Sequence, residues 1–343
     1  MPIRRPTHST TPAATLLARR VAPLTLATAL AWGVLGAVDV GAQAMPRPPI
    51  VGRWDLRVTG ANGSYPSWLE ITPSGNSALV GRFVGRTGSA RPIGRIELAD
   101  GRFRFAIPAQ WEAGTEDLRV EGGLAAGDSA RLDGTLVTPD GTRQTWTAVR
   151  APELRDIAAP RWGAPVTLFD GQTLTGWAPR GGENRWRVAG GTLTNSGGGA
   201  NLATTRTFGD FRLHVEFRYP AGSNSGVYLR GRYEVQIEDD EETRRDQEPA
   251  LVDIGGVYGF LAPTAYAARG AGEWQAMDVT LVGRRVTVVL NGRTVVPGLV
   301  IPGITGGALD SDEGAPGPIM LQGDHGRIEY RHLVLVPALT ATR

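Results

Sequence analysis

In the stretch 227–238, polar and apolar residues alternate. Tyr228, Arg230, Arg232, Glu234, Gln236 and Glu238 share one parity, and Val227, Leu229, Gly231, Tyr233, Val235 and Ile237 the other. On a strand, positions i and i+2 lie about 6.6–6.8 Å apart along one face. Read as one strand, 230–238 is a ladder of guanidinium, carboxyl and amide groups. The stretch 211–219 repeats the pattern, with Arg212, His214, Glu216 and Arg218 opposite Phe211, Leu213, Val215, Phe217 and Tyr219. His325 stands beside Asp324 between Gly323 and Gly326, in a turn that exposes it. Its imidazole titrates near neutrality and can take or give a proton. The chemistry these types allow is proton transfer by His325 or Glu234, with Arg230 beside a developing oxyanion. Glu216, Arg218, Asn224, Gln236 and Asp324 are the groups to orient a hydroxyl-rich substrate. A purely structural explanation competes: a solvated sheet face stitched by Arg–Glu pairs, with His325 bonded to backbone. His332, inside an apolar run, reads as structural. The acidic run 239–242 reads as a solvated loop, with calcium as the alternative.

Composition excludes other chemistries. All 36 basic residues are Arg, against 34 acidic residues. Without Lys there is no Schiff base and no P-loop. Without Cys there is no disulfide, thiolate nucleophile or thiolate metal site. No metal motif emerges from the spacing of His214, His325 and His332. Gly181-Gly182 and 197–199 lack the strand–glycine–helix context of nucleotide sites and read as loops.

Residues 1–20 carry four Arg and no acid, 21–38 are apolar and uncharged, and Ala42-Gln43-Ala44 offers small residues for cleavage. This is the pattern of a secretory signal over 1–44, with an uncleaved anchor as the alternative. Without that segment the chain has 32 basic and 33 acidic residues. A near-neutral protein gives no electrostatic case for nucleic acid or an anionic membrane. The expected location is periplasmic or secreted, with no transmembrane segment after signal removal.

The elements that position these groups are short. The 47 Gly and 24 Pro break helices and favour strands joined by turns. In 46–150, Asn62-Gly63, Ser74-Gly75, Asp100-Gly101 and Asp140-Gly141 punctuate alternating runs, predicting a small antiparallel barrel or sandwich. Its opening Gly52-Arg53-Trp54 resembles the Gly-x-Trp start of lipocalin-like barrels. Residues 151–165 contain three prolines and read as a linker. Residues 166–337 predict an all-β antiparallel sandwich, with 211–219 and 227–238 as hairpin neighbours and short helical pieces at most near 264–272.

Residues 166–337 resemble the 3-keto-disaccharide hydrolase family. The likeness runs through Leu168-Phe169-Asp170-Gly171, Gly176-Trp177 and Trp186, then the unbroken 224–236, then Gly317-Pro318-Ile319 and 321–326. The resemblance implies a concanavalin A/laminin-G-like sandwich and action on the glycosidic bond of 3-keto sugars. The C2 proton beside a C3 carbonyl is acidic. Its removal lets the C1 substituent leave, and hydration completes a net hydrolysis. The resemblance further implies that no redox cofactor is required and that a separate sugar 3-dehydrogenase acts upstream, and a divalent metal is compatible with the same residues as electrophile.

Two other functions fit parts of the sequence. The segment 234–238 resembles the Glu-x-Asp-x-Glu strand of laminarinase-type glycoside hydrolases, with Gln236 replacing the central Asp. A retaining mechanism on Glu234 and Glu238 needs their carboxyls about 5–5.5 Å apart, hence a bulge in that strand. A non-catalytic carbohydrate-binding envelope protein is the other.

Overall fold

The computed structural model describes residues 47–154, 160–239 and 247–339. The proposed signal 1–44 and most of the acidic run lie outside these. No helix among the described residues is long and apolar enough to cross a membrane.

Eight strands close the first barrel: β1 (Gly52–Gly60), β2 (Gly63–Ser74), β3 (Ala78–Val84), β4 (Arg91–Ala99), β5 (Arg102–Ile107), β6 (Leu118–Ala125), β7 (Asp128–Val137) and β8 (Arg143–Arg150). Each pairs antiparallel with the next, and β8 returns to β1. Closure removes the sheet edges that a small open sheet would leave unpaired. Leu56, Val58, Leu69, Phe83, Phe103 and Val120 alternate inward to fill it. Gly134 is required where Trp146 crosses the interior, because a Cβ there would lie 2.0 Å from the Glu121 carbonyl and 2.4 Å from the indole. Trp54 is fully buried, donates to the Ile50 carbonyl and carries Arg150 stacked 4.3 Å from its ring.

Thirteen further strands follow among the described residues. They are β9 (Val166–Thr167), β10 (Trp177–Arg180), β11 (Trp186–Ala189), β12 (Thr192–Asn195), β13 (Asn201–Thr204), β14 (Phe211–Arg218) and β15 (Asn224–Leu229). Then come β16 (Tyr233–Glu238), β17 (Gln275–Val282), β18 (Arg285–Leu290), β19 (Arg293–Val300), β20 (Met320–Leu321) and β21 (Ile328–Pro337). One sheet runs β10-β13-β20-β15-β16 and the other β11-β12-β21-β14-β17-β18-β19, with β9 on β21. One core contains Val215 and Phe217 of β14 together with Val227, Val235 and Ile237 of the five-stranded sheet. Residues 264–272 form no helix.

Three expectations need correction. β14 and β15 are not hairpin neighbours but lie in different sheets, and Asn224-Ser225-Gly226 belongs to β15 rather than to a connecting loop. The run 227–238 is not one strand. Arg230 and Gly231 adopt φ of 53° and 68°, turning the chain so that β15 folds back on β16, with Tyr228 opposite Glu234 and Gly226 opposite Gln236. Third, His332 is not enclosed. It sits with φ of 49° where the β14–β21 register slips, and the bulge leaves its side chain 66% exposed, 3.1 Å from Glu216.

Barrel and sheets share packing. Trp68 and Val84 of the barrel belong to the core of the second region, with Trp68 edge-on to Phe260 at 5.4 Å. The Gly307 N–H donates to the Arg86 carbonyl, and the Ser311 hydroxyl to the Leu56 carbonyl.

Candidate functional site

The site forms on the five-stranded sheet, on the face turned away from the main core. Because side chains alternate, Asn224, Gly226 and Tyr228 of β15 share that face with Glu234, Gln236 and Glu238 of β16. Tyr228, Met320 and Ala203 form a separate small apolar floor there. Glu234 reaches across the pair toward Gly226, where an added Cβ would lie 2.3 Å from its Oε1. The Tyr228 hydroxyl sits 2.9 Å from both Glu234 Oε2 and the Gly306 carbonyl. Burial pushes the Glu234 carboxyl up to about 8, against the opposing hydrogen bond from Tyr228 and the charge of His325. It is thus a neutral acid at pH 7.

His325 lies in the turn after β20, at the rim. Two backbone bonds lock this turn to β15: the Gln322 N–H donates to the Gly226 carbonyl and the Gly326 N–H to the Asn224 carbonyl. Nδ1 of His325 lies 2.8 Å from Asp324 Oδ1. Carrying the proton on Nδ1 toward Asp324 leaves Nε2 as the basic nitrogen. The Asp324 hydrogen bond raises the imidazole above its ordinary value, and the charges of Glu234 and Glu238 add to it. Gln236 is buried, donates 3.2 Å to Glu238 Oε2, and leaves its Oε1 without a partner. Gln322 Oε1 is likewise buried and unpartnered. Orphaned acceptors cost free energy unless a ligand satisfies them.

The structure therefore brings Glu234, Gln236, Asn224, Asp324 and His325 to one region. It places Arg230 elsewhere. The reversal at Arg230-Gly231 sends the guanidinium to the Gly283 carbonyl and over the Tyr233 ring at 5.3 Å, and Tyr233 faces the core. Glu216 and Arg218 point out from the other sheet, since their neighbours Val215 and Phe217 fill the core. Glu216 binds Arg331 at 2.5 Å, and Arg218 is tied to Glu329 beside Trp274. The continuous ladder expected from alternation fails because two glycine-like conformations interrupt it. β16 itself is regular, so Glu234 and Glu238 stand about 13 Å apart along it. That spacing removes the laminarinase-type retaining pair. Among the described residues, no group of three or more Asp, Glu or His is close enough together to hold a metal.

Sequence reasoning missed three participants. Tyr228 was visible on the polar side of its strand but carried no signal of its bond to Glu234. Gly226 makes room for that carboxyl. Tyr258, whose N–H donates to the Glu234 carbonyl oxygen, comes from a loop with no sequence periodicity. We expect Gly226→Ala to displace the Glu234 side chain while leaving the fold intact, since the three nearest atoms an added Cβ would meet, Oε1, Cγ and Cδ of Glu234 at 2.3–2.9 Å, all belong to that side chain and none to the backbone. Activity should fall about 100-fold, as a misplacement near 1 Å costs, with the thermal midpoint within a few degrees of wild type. Unchanged turnover would show that the carboxyl need not sit where it does.

An all-β chain with a closed barrel and a carboxyl–imidazole site on a second antiparallel unit defines the class. Residues 164–336 match the 3-keto-alpha-glucoside-1,2-lyase-like domain, and the chain belongs to that family. Membership supports hydrolase or lyase activity on 3-keto-glycosides. The chain is also similar to a candidate glycosyl hydrolase from Parabacteroides distasonis, with 28% identity over 55% of this chain and 94% of that one, at a TM-score of 0.44. A second candidate glycosyl hydrolase from the same organism shares 19% identity, over 51% and 94%, at 0.41. The carbohydrate-binding module CBM66 from Bacillus subtilis shares 13%, over 46% and 94%, at 0.32. No curated protein matches the chain.

Proposed function

We propose that the chain cleaves the glycosidic bond of 3-keto sugars by elimination and hydration, in a concanavalin-like sandwich spanning about 166–337, preceded by a barrel over 46–150 and a linker over 151–165. The observation that carries it is the pairing, in a member of this family, of a buried neutral carboxyl with an Asp-oriented imidazole. His325 Nε2 takes the C2 proton. As the C2–H bond breaks, its electron pair forms C2=C3 and the C3 oxygen becomes an enolate. The Glu234 carboxyl donates a hydrogen bond to that oxygen, taking the role that sequence reasoning gave Arg230. The enolate then collapses: C3=O re-forms, C1=C2 forms, and the C1–O bond breaks. The imidazolium returns its proton to the departing oxygen, giving an alcohol and an enone. Water adds across C1=C2, with hydroxyl to C1 and a proton to C2. No electrons are gained or lost, so oxidation at C3 belongs to a separate sugar 3-dehydrogenase acting first. Gln236, Asn224 and Asp324 orient hydroxyls. Residues 1–44 fit export to the periplasm or beyond.

The test is incubation of the protein with 3-keto-trehalose and with trehalose, with and without divalent metal. Release of glucose from the keto sugar alone is expected. Cleavage of neither under any condition would overturn the proposal, and saturable glycan binding without turnover would favour a binding module instead.

A further inference from the structure

The barrel, which the family match does not include, brings an aromatic side chain to this site. Trp111, between β5 and β6, is 71% exposed, the most exposed large apolar side chain among the described residues. An exposed apolar side chain alone means little, and a ring on a mobile loop tip would mean less. Trp111 is held firmly. Its N–H and that of Gln110 both donate to Glu112 Oε2, at 3.2 and 2.9 Å. Glu112 in turn is gripped by the buried Arg91, at 2.6 Å. The Gln110 side chain exchanges two hydrogen bonds with Ser89. The indole edge rests on Gly88, where a Cβ would lie 2.8 Å from Cδ1.

This frame abuts the site. A Cβ on Gly306 would lie 2.3 Å from the Gly88 carbonyl oxygen, and the Gly306 carbonyl is the one that meets the Tyr228 hydroxyl beside Glu234. Gly259 is packed as tightly on Ser89. Between these contacts the Trp111 side chain lies beside the hydroxyl of Tyr258, the residue after Val257 on the loop that pairs with β16. One edge of the indole is thus committed, and the ring is held with most of its surface in water.

We propose that Trp111 is a carbohydrate subsite: a stacking platform for the second sugar ring, the one that leaves from C1. A pyranose presents one face of C–H groups, and covering indole surface with it removes apolar area from water. Binding energy won away from the reacting carbon lets the enzyme select disaccharides over simple glycosides. This rests on the function proposed above.

The test compares wild type, Trp111→Ala and Trp111→Phe on 3-keto-trehalose and on methyl 3-keto-α-glucoside. Trp111→Ala should raise KM for the disaccharide about tenfold, with kcat nearly unchanged and the methyl glycoside unaffected. Trp111→Phe should recover most of the loss. Parallel losses on both substrates, or no loss on either, would overturn the subsite. If wild type cleaves neither keto sugar, the catalytic proposal fails by itself. Calorimetric titration with trehalose then decides the subsite: weaker binding to Trp111→Ala supports it, and equal binding overturns it.

Discussion

Replacing His325 by Ala should lower kcat on 3-keto-trehalose by about 100- to 10,000-fold, the usual contribution of a positioned general base. Glu234→Ala should cost about 100-fold or more, as loss of an oxyanion donor does. The sharper expectation concerns pH. The chemistry needs His325 neutral and Glu234 protonated. Activity should rise through the imidazole value, which lies above 6.5, and fall through a carboxyl value of about 8. Glu234→Gln keeps a donor that cannot ionise. It should therefore retain part of the rate and lose the alkaline limb. An alkaline limb that survives in Glu234→Gln, with the rate otherwise intact, would assign that limb to another group. If Glu234→Gln were instead as inactive as Glu234→Ala, Glu234 would be working as an ionised base. Asp324→Asn should move the acidic limb toward lower pH, because it removes the largest cause of the raised imidazole value.

Much of this was legible in the sequence, and the residues tell why. Alternation named the side of the strand on which Glu234 and Gln236 lie, because parity survives this hairpin: its three-residue turn, Arg230 to Arg232, pairs Leu229 with Tyr233, an even separation that keeps residues of one parity on one face. The same turn destroyed the inference about Arg230, since a non-glycine residue at φ of 53° has no signature in alternation. Glu216 and Arg218 were misplaced for a different reason. Period two separates the faces of one sheet but does not say which of two sheets owns a strand. His325 was found because an Asp-His pair between glycines makes a turn whatever the tertiary fold. Trp111 and Tyr258 had no such marker. Their meeting depends on how the barrel packs against residues 256–260 and 303–307, a contact between segments far apart in the chain.

The same junction carries the largest expected stability effect. Asp55 of β1 is buried against Glu313, on the segment leading to β20, and each has a buried oxygen without a partner. Tyr233 donates 2.7 Å to Glu313 Oε2, and Arg53, Arg230 and Arg284 lie around the pair. Burial pushes the Asp55 carboxyl up to about 9, and the neighbouring Glu313 carboxyl adds to the rise. Glu313 is also raised, by burial, but its hydrogen bonds from Tyr233 and Asp55 and the nearby guanidiniums work the other way. Asp55 is therefore the member that carries the proton. Its folded value lies above its unfolded one, so its contribution to stability is complete below about pH 4. It is then lost as pH rises toward 9, at about 1.4 kcal/mol per pH unit while the unfolded chain alone is ionised. Glu234, also raised, adds the same sign up to about 8. Asp55→Asn keeps a donor toward Glu313 that needs no proton. Equilibrium unfolding at pH 5, 7 and 9 should show wild type losing several kcal/mol across that range and Asp55→Asn losing markedly less, with the variant the more stable of the two at pH 9. Equal slopes for the two proteins would mean that Asp55 is ionised in the fold and that the barrel is held to the sheets by the arginines around it rather than by a shared proton.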